Sequence, residues 1–62
     1  MASYTLFVHD DRYSVPNFYM VSVAGERRAL ELAEEKLRSS PHYRRVEVFD
    51  GERLVGAIDR EV

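Results

Sequence analysis

Apolar residues recur with a helical period in one stretch of this chain, Gly25 to Ser40 (GERRALELAEEKLRSS). There Ala29, Leu30, Leu32, Ala33 and Leu37 fall on one broad side. Arg27, Arg28, Glu31, Glu34, Glu35 and Arg38 fall together on the other. The spacing predicts an amphipathic helix whose apolar side the rest of the chain must cover. Ala29 and Ala33, near the middle of that side, are small enough to let a helix lie close to a sheet. Gly25 is only a fair N-cap, and Glu34 four residues before Arg38 supplies the favoured ionic order on the wet side. Pro41 biases Ser40 out of the helical region and ends the segment.

Elsewhere the pattern alternates. Residues 4–9 (YTLFVH) read as a strand, with Tyr4, Leu6 and Val8 on one face and Thr5, Phe7 and His9 on the other. Residues 10–17 (DDRYSVPN) are turn chemistry. Residues 18–23 form the return strand, in which Tyr19, Val21 and Val23 alternate with Phe18, Met20 and Ser22. A second hairpin, 44–49 (RRVEVF) and 52–59 (ERLVGAID), flanks the turn signal Asp50-Gly51. A two-residue loop would set Val46 and Val48 on the face of Arg53 and Asp59. An odd loop, with Gly51 left-handed in a bulge, puts Val46, Val48, Leu54 and Ile58 together, and is the expected form.

The elements add up to an α+β domain spanning residues 1–62, of the order ββαββ: a four-stranded antiparallel sheet with one helix packed on one face. Strand orders 2-1-3-4 and 1-2-4-3 both keep every pair antiparallel, and the former is preferred. One helix covers one face. The helix-free face then carries Phe7, Phe18, Met20, Val55 and Ala57, with Phe49 at its margin. A contiguous apolar patch of this kind marks an interaction surface, and a sheet-to-sheet homodimer would roughly double the core available to so small a fold. Docking of a larger protein partner is a related expectation.

Composition narrows the alternatives. Sixty-two residues without cysteine exclude a disulfide staple and a thiolate metal site. A formal charge of −2 gives no long-range attraction to nucleic acid or to an anionic membrane. Single-stranded nucleic acid stacking on Phe7 and Phe18 is therefore the lesser reading of the aromatic face. No apolar run approaches the roughly 20 residues needed to span a bilayer. The first residues (MASYTLF) lack a basic, then apolar, secretory pattern, so the cytoplasm is the expected location.

Candidate chemistry is sparse. His9-Asp10-Asp11 is the one place where a histidine adjoins carboxylates in sequence, and such groups can bind a metal or move protons. Adjacent strand residues point to opposite sides, so these read instead as solvated turn residues. His42 reads as an exposed loop residue. No serine stands in a nucleophile context, Gly25, Gly51 and Gly56 are isolated, and Arg44-Arg45 reads as mixed solvated surface. No catalytic residue, metal or cofactor is expected.

The closing hairpin VEVFDGERLVGAI, with the Ala-, Leu- and Glu-rich helix before it, resembles small uncharacterised bacterial ββαββ proteins, a domain of unknown function. The matching positions are Val46, Glu47, Val48, Phe49, Gly51, Arg53, Leu54 and Val55. Members of that group often carry an acidic residue capping the helix, where this chain has Ala24-Gly25. The resemblance implies the fold and transfers no activity and no site residues.

Overall fold

A computed structural model describes residues 1–60. Strands β1 (Ala2–Asp10) and β2 (Asn17–Val23) precede helix α1 (Glu26–Arg38), and β3 (Tyr43–Asp50) and β4 (Arg53–Asp59) follow it. The four strands form one sheet in the order β2-β1-β3-β4, every pair antiparallel. The ββαββ architecture and the preferred strand order are therefore both present. Because β2 and β3 each run opposite to β1, they are parallel to one another, and α1 is the crossover that joins them. A crossover helix can lie on one side of a sheet only. Among the described residues no helix is long and apolar enough to cross a membrane.

The core forms where α1 meets the central strands. Tyr4, Leu6 and Val8 of β1, Val46 and Val48 of β3 and Val23 of β2 are buried with Ala29, Ala33 and Leu37. Those helix residues are spaced by four, which makes a narrow seam, and its two alanines are wholly inaccessible. Leu30 and Leu32 flank the seam, partly buried. The helix lies mainly over β3 and β4. The approach is close: a Cβ on Gly56 would stand 2.9 Å from Leu30 Cδ2. On the wet side Glu34 pairs with Arg38 at 2.6 Å, and Arg28 bridges Glu31 and Glu35.

Both helix ends are held by distant arginines. Gly25 caps in an extended conformation without a side-chain hydrogen bond. Glu26, in the first turn, instead reaches Arg53 of β4, a carboxylate placed where the helix dipole favours it. At the other end Ser39 donates through N–H and Oγ to Lys36 O. Arg60 donates through Nη2 to Leu37 O and Ser40 O, and through Nε to Tyr43 O at 2.7 Å. One guanidinium thus satisfies Leu37 O, a carbonyl that the end of the helix leaves without an intrahelical partner, and ties it to two carbonyls further along the chain. It also fastens the chain after β4 to the α1–β3 connection.

The second hairpin departs from expectation. Asp50 pairs with Arg53, so the loop is Gly51-Glu52, two residues rather than an odd number. Gly51 is left-handed, with φ 63°, and among the described residues no non-glycine residue has positive φ. Positive φ at the first loop position alone is the type II′ pattern. The parity change comes further along. Phe49 pairs with Leu54 but Val48 pairs with Gly56, which leaves Val55 as the extra residue of a bulge. Beyond the bulge Val46 lies opposite Ile58, as the alternation predicts. Before it Leu54 is turned to the helix-free face, whereas Val55 packs partly buried against the core. The expected places of Leu54 and Val55 are exchanged. A second bulge, at Arg44, lets Tyr43 pair with Asp10 and pack against the core. Tyr19, expected under the helix, is instead half-exposed at the rim, with Lys36 Nζ 4.2 Å from its ring centre.

Truncating Arg60 to Ala should lower the unfolding free energy by about 1–3 kcal/mol, the cost of leaving part-buried carbonyls without their donor. Arg60→Lys should recover only part of the loss, because an ammonium cannot reproduce the planar fork. Urea denaturation of the three proteins measures both.

The helix-free sheet face as a candidate interface

Residues paired directly across strands share a face, so the register defines the side that α1 leaves bare. Phe18 pairs with Phe7, Met20 with Thr5, Phe49 with Thr5 on the other side, and Leu54 with Phe49. These residues cross all four strands toward one end of the face. The Phe7 ring lies at the centre. Its centroid is 5.3 Å from that of Phe49 in an edge-to-face contact and 6.2 Å from that of Phe18 in a tilted one, both within the range of favourable aromatic pairs.

The aromatic contacts do not hide the patch. Phe18 keeps 65% of its surface, Met20 72% and Leu54 49%. Phe7, Phe49 and Ala57 are half-buried in the sheet surface. Of the residues expected on this face, Phe7, Phe18, Met20 and Phe49 are brought together, and Ala57 shares the face beyond Glu47. Val55 does not, because the bulge turns it toward the core, and Leu54 takes its place. A period-2 count across the expected odd loop misses Leu54, whereas the two-residue loop sets it opposite Phe49. An apolar residue just after a two-residue turn, ahead of a glycine that can accompany a bulge, is the signal that could have found it.

The other end of the face is ionic. Arg45 donates two hydrogen bonds to the Asp59 carboxylate, at 2.7 and 2.8 Å. Its Nε also lies 3.8 Å from Glu47, and Glu47 Oε1 lies 2.6 Å from His9 Nε2. Hydrogen bonding by Asp59, then its charge, raises the pKa of Arg45 above the ordinary value, with a smaller contribution from Glu47. The row Asp59–Arg45–Glu47–His9 is thus internally paired, and its Glu47 reaches into the apolar side, directly opposite Phe7 on β1 and Ala57 on β4.

The remaining titratable groups lie on the helix side and in the nearby loops. Asp10 follows His9 in sequence but turns inward, 5% exposed. It is therefore not the solvated turn residue that local composition suggests. Arg12 closes back on it, donating from the backbone N–H at 2.8 Å, from Nε at 3.0 Å and from Nη2 at 2.7 Å. These side-chain hydrogen bonds hold the Asp10 carboxyl down at about 2, against the opposing effect of burial. Asp11 meets His42 Nδ1 at 3.1 Å and Arg44 at 3.5 Å. His42 thus has a carboxylate neighbour in space although none stands beside it in sequence. His9 and Asp10 do not converge. Among the described residues no group of three or more His, Asp or Glu is arranged to hold a metal ion.

Compared with protein-family models, with curated proteins and with solved structures, the chain finds no match in any of the three.

The Asp10 clamp carries a definite pH dependence. A carboxyl whose folded pKa lies below its unfolded value, roughly 3.9, stabilises the fold above that unfolded value. The contribution is lost as pH falls toward about 2. Asp10→Asn should therefore be less stable than the parent at neutral pH. The gap should hold constant down to mildly acidic pH and close as both proteins are acidified further. Thermal melts of the pair across an acid series provide the check.

Proposed function

We propose that this chain is a non-enzymatic interaction module that self-associates through its helix-free sheet face. The observation that supports the reading is the exposure of Phe18, Met20 and Leu54 beside the half-buried Phe7 and Phe49. They form one apolar stripe across a sheet whose opposite side is already covered over its middle by α1. Patches of this kind on small domains mark interaction sites. The fold has little core of its own, so burying the stripe against an identical stripe adds apolar contact where a short chain most lacks it. The flanking ionic row suits a two-fold arrangement, because its charges are already paired within each copy and it presents no large single-sign field to a like surface.

Base stacking on Phe7, Phe18 and Phe49 is the weaker reading. Glu47 and Asp59 stand on the same face, and the guanidinium between them is occupied by both. Phosphates approaching the rings would meet the carboxylates of Glu47 and Asp59, with Arg45 already engaged between them.

Sedimentation equilibrium at micromolar to millimolar concentration tests the proposal. The parent chain should associate reversibly, and Leu54→Glu should weaken association by about 1–3 kcal/mol, the loss typical of removing an interface anchor. Its monomer stability should change by no more than about 0.5 kcal/mol, since Leu54 is outside the core. Equal association of the two proteins would remove the helix-free face from consideration. A shift of the Phe resonances on adding a short single-stranded oligonucleotide would favour the stacking reading instead.

A further inference from the structure

The two edges of the sheet are built differently. On β4 the outer edge is interrupted by the bulge at Val55 and carries Arg53 and Asp59 near its ends, both engaged in ion pairs. Bulges and charges are the usual means of keeping an edge strand from pairing with another chain. The β2 edge has neither. Its seven residues, NFYMVSV, contain no charge, no glycine and no proline. They pair with β1 in unbroken register from Asn17 to Val23. Alternate residues of such a strand turn N–H and C=O away from the sheet, a row of backbone groups ready for a further strand.

The helix leaves this edge clear. Because α1 lies mainly over β3 and β4, the helix side of β2 is half-open. A groove of about 370 Å³ runs between β2 and α1, lined by Leu6, Tyr19, Val21, Leu32 and Lys36 among others. An added strand would bring side chains over this groove as well as backbone to the edge.

We infer that β2 pairs with β2 of a second copy, antiparallel about a two-fold axis, joining two four-stranded sheets into one of eight strands. The strand is complementary to itself. With Met20 of each copy opposite Met20 of the other, all seven positions pair. Tyr19 then lies opposite Val21 on the helix side, twice by symmetry, an aromatic–β-branched pair of the kind that favours strand association. Phe18 lies opposite Ser22 on the helix-free side. No like charges are brought together, because the strand has none. Pairing of β2 with β4 of another copy would propagate into an open fibre, and the charges and bulge of β4 oppose it. The symmetric pairing closes instead. It is distinct from face-to-face contact: it is made by backbone groups and the helix-side groove, whereas that contact also needs Phe7, Phe49 and Leu54, and only Phe18 and Met20 of β2 belong to both. The two operations are compatible, the edge pairing laying two apolar stripes side by side on one larger face.

Amide hydrogen exchange along β2, followed by NMR from low to high protein concentration, tests the edge pairing in the unmodified chain. In a lone subunit only the amides directed at β1 are protected, and the alternate set exchanges freely. The inference requires the alternate set to become protected as concentration rises, and Tyr19→Glu to lose that gain while the β1-directed amides stay protected. In that variant the new carboxylate faces the cation of Lys36 in its own subunit, so the monomer is retained. Leu54→Glu should leave the β2 gain in place. An alternate set that exchanges freely at every concentration overturns the inference, whether the chain is then monomeric or associated through its helix-free face. Should Tyr19→Glu fail to fold, the exchange pattern of the parent chain decides by itself.

Discussion

A single crossover helix on a four-stranded sheet is the constraint from which the rest follows. Strands β2 and β3 are parallel and separated by β1, so the chain between them must travel the length of the sheet, and it does so as α1 on one side. The narrow alanine seam lets the helix sit close, and the three inaccessible valines, Val8, Val46 and Val48, show where the covering is complete. It is complete over the middle of one face only. The opposite face and the helix side of β2 are left for water or for another molecule, and both carry apolar side chains.

The polar groups divide along the same line. Where backbone or carboxylate is shut away from water, a guanidinium meets it: Arg12 at Asp10, and Arg60 at the carbonyls after α1. Buried polar groups are costly without partners, and no buried side-chain nitrogen or oxygen among the described residues lacks one. Exposed ion pairs such as Arg28–Glu31 contribute little to stability. The row from Asp59 to His9 also lies on the surface, where its weight is in setting the border of the apolar stripe rather than in holding the fold.

Most of the architecture is legible in the sequence because it rests on periodicity. The helix, the four strands and the burial of Tyr4, Leu6, Val8, Val46 and Val48 follow from spacings of about 3.6 and 2. Five of the six residues expected on the bare face are there: Phe7, Phe18, Met20, Phe49 and Ala57. What the pattern misses are features that break periodicity or join distant segments. The bulge at Val55 moves a parity change from the loop into the strand, which exchanges Leu54 and Val55. Arg44 does the same for Tyr43. The Arg60 cap, the Asp11–His42 contact and the Glu26–Arg53 pair depend on strand order, which no local spacing encodes. Asp10 reads as a turn residue because its burial comes from Tyr43 and Arg12, one of them brought beside it by the sheet.

In the proposed reading, a fold covered on one side is completed by another copy of itself. Linkage makes this measurable without any variant. Association of folded chains draws the unfolding equilibrium toward the native state, so the melting temperature must depend on protein concentration. Calorimetric melts over a wide concentration range should show Tm rising steadily with the logarithm of concentration. A Tm that stays the same from micromolar to millimolar chain would contradict the account.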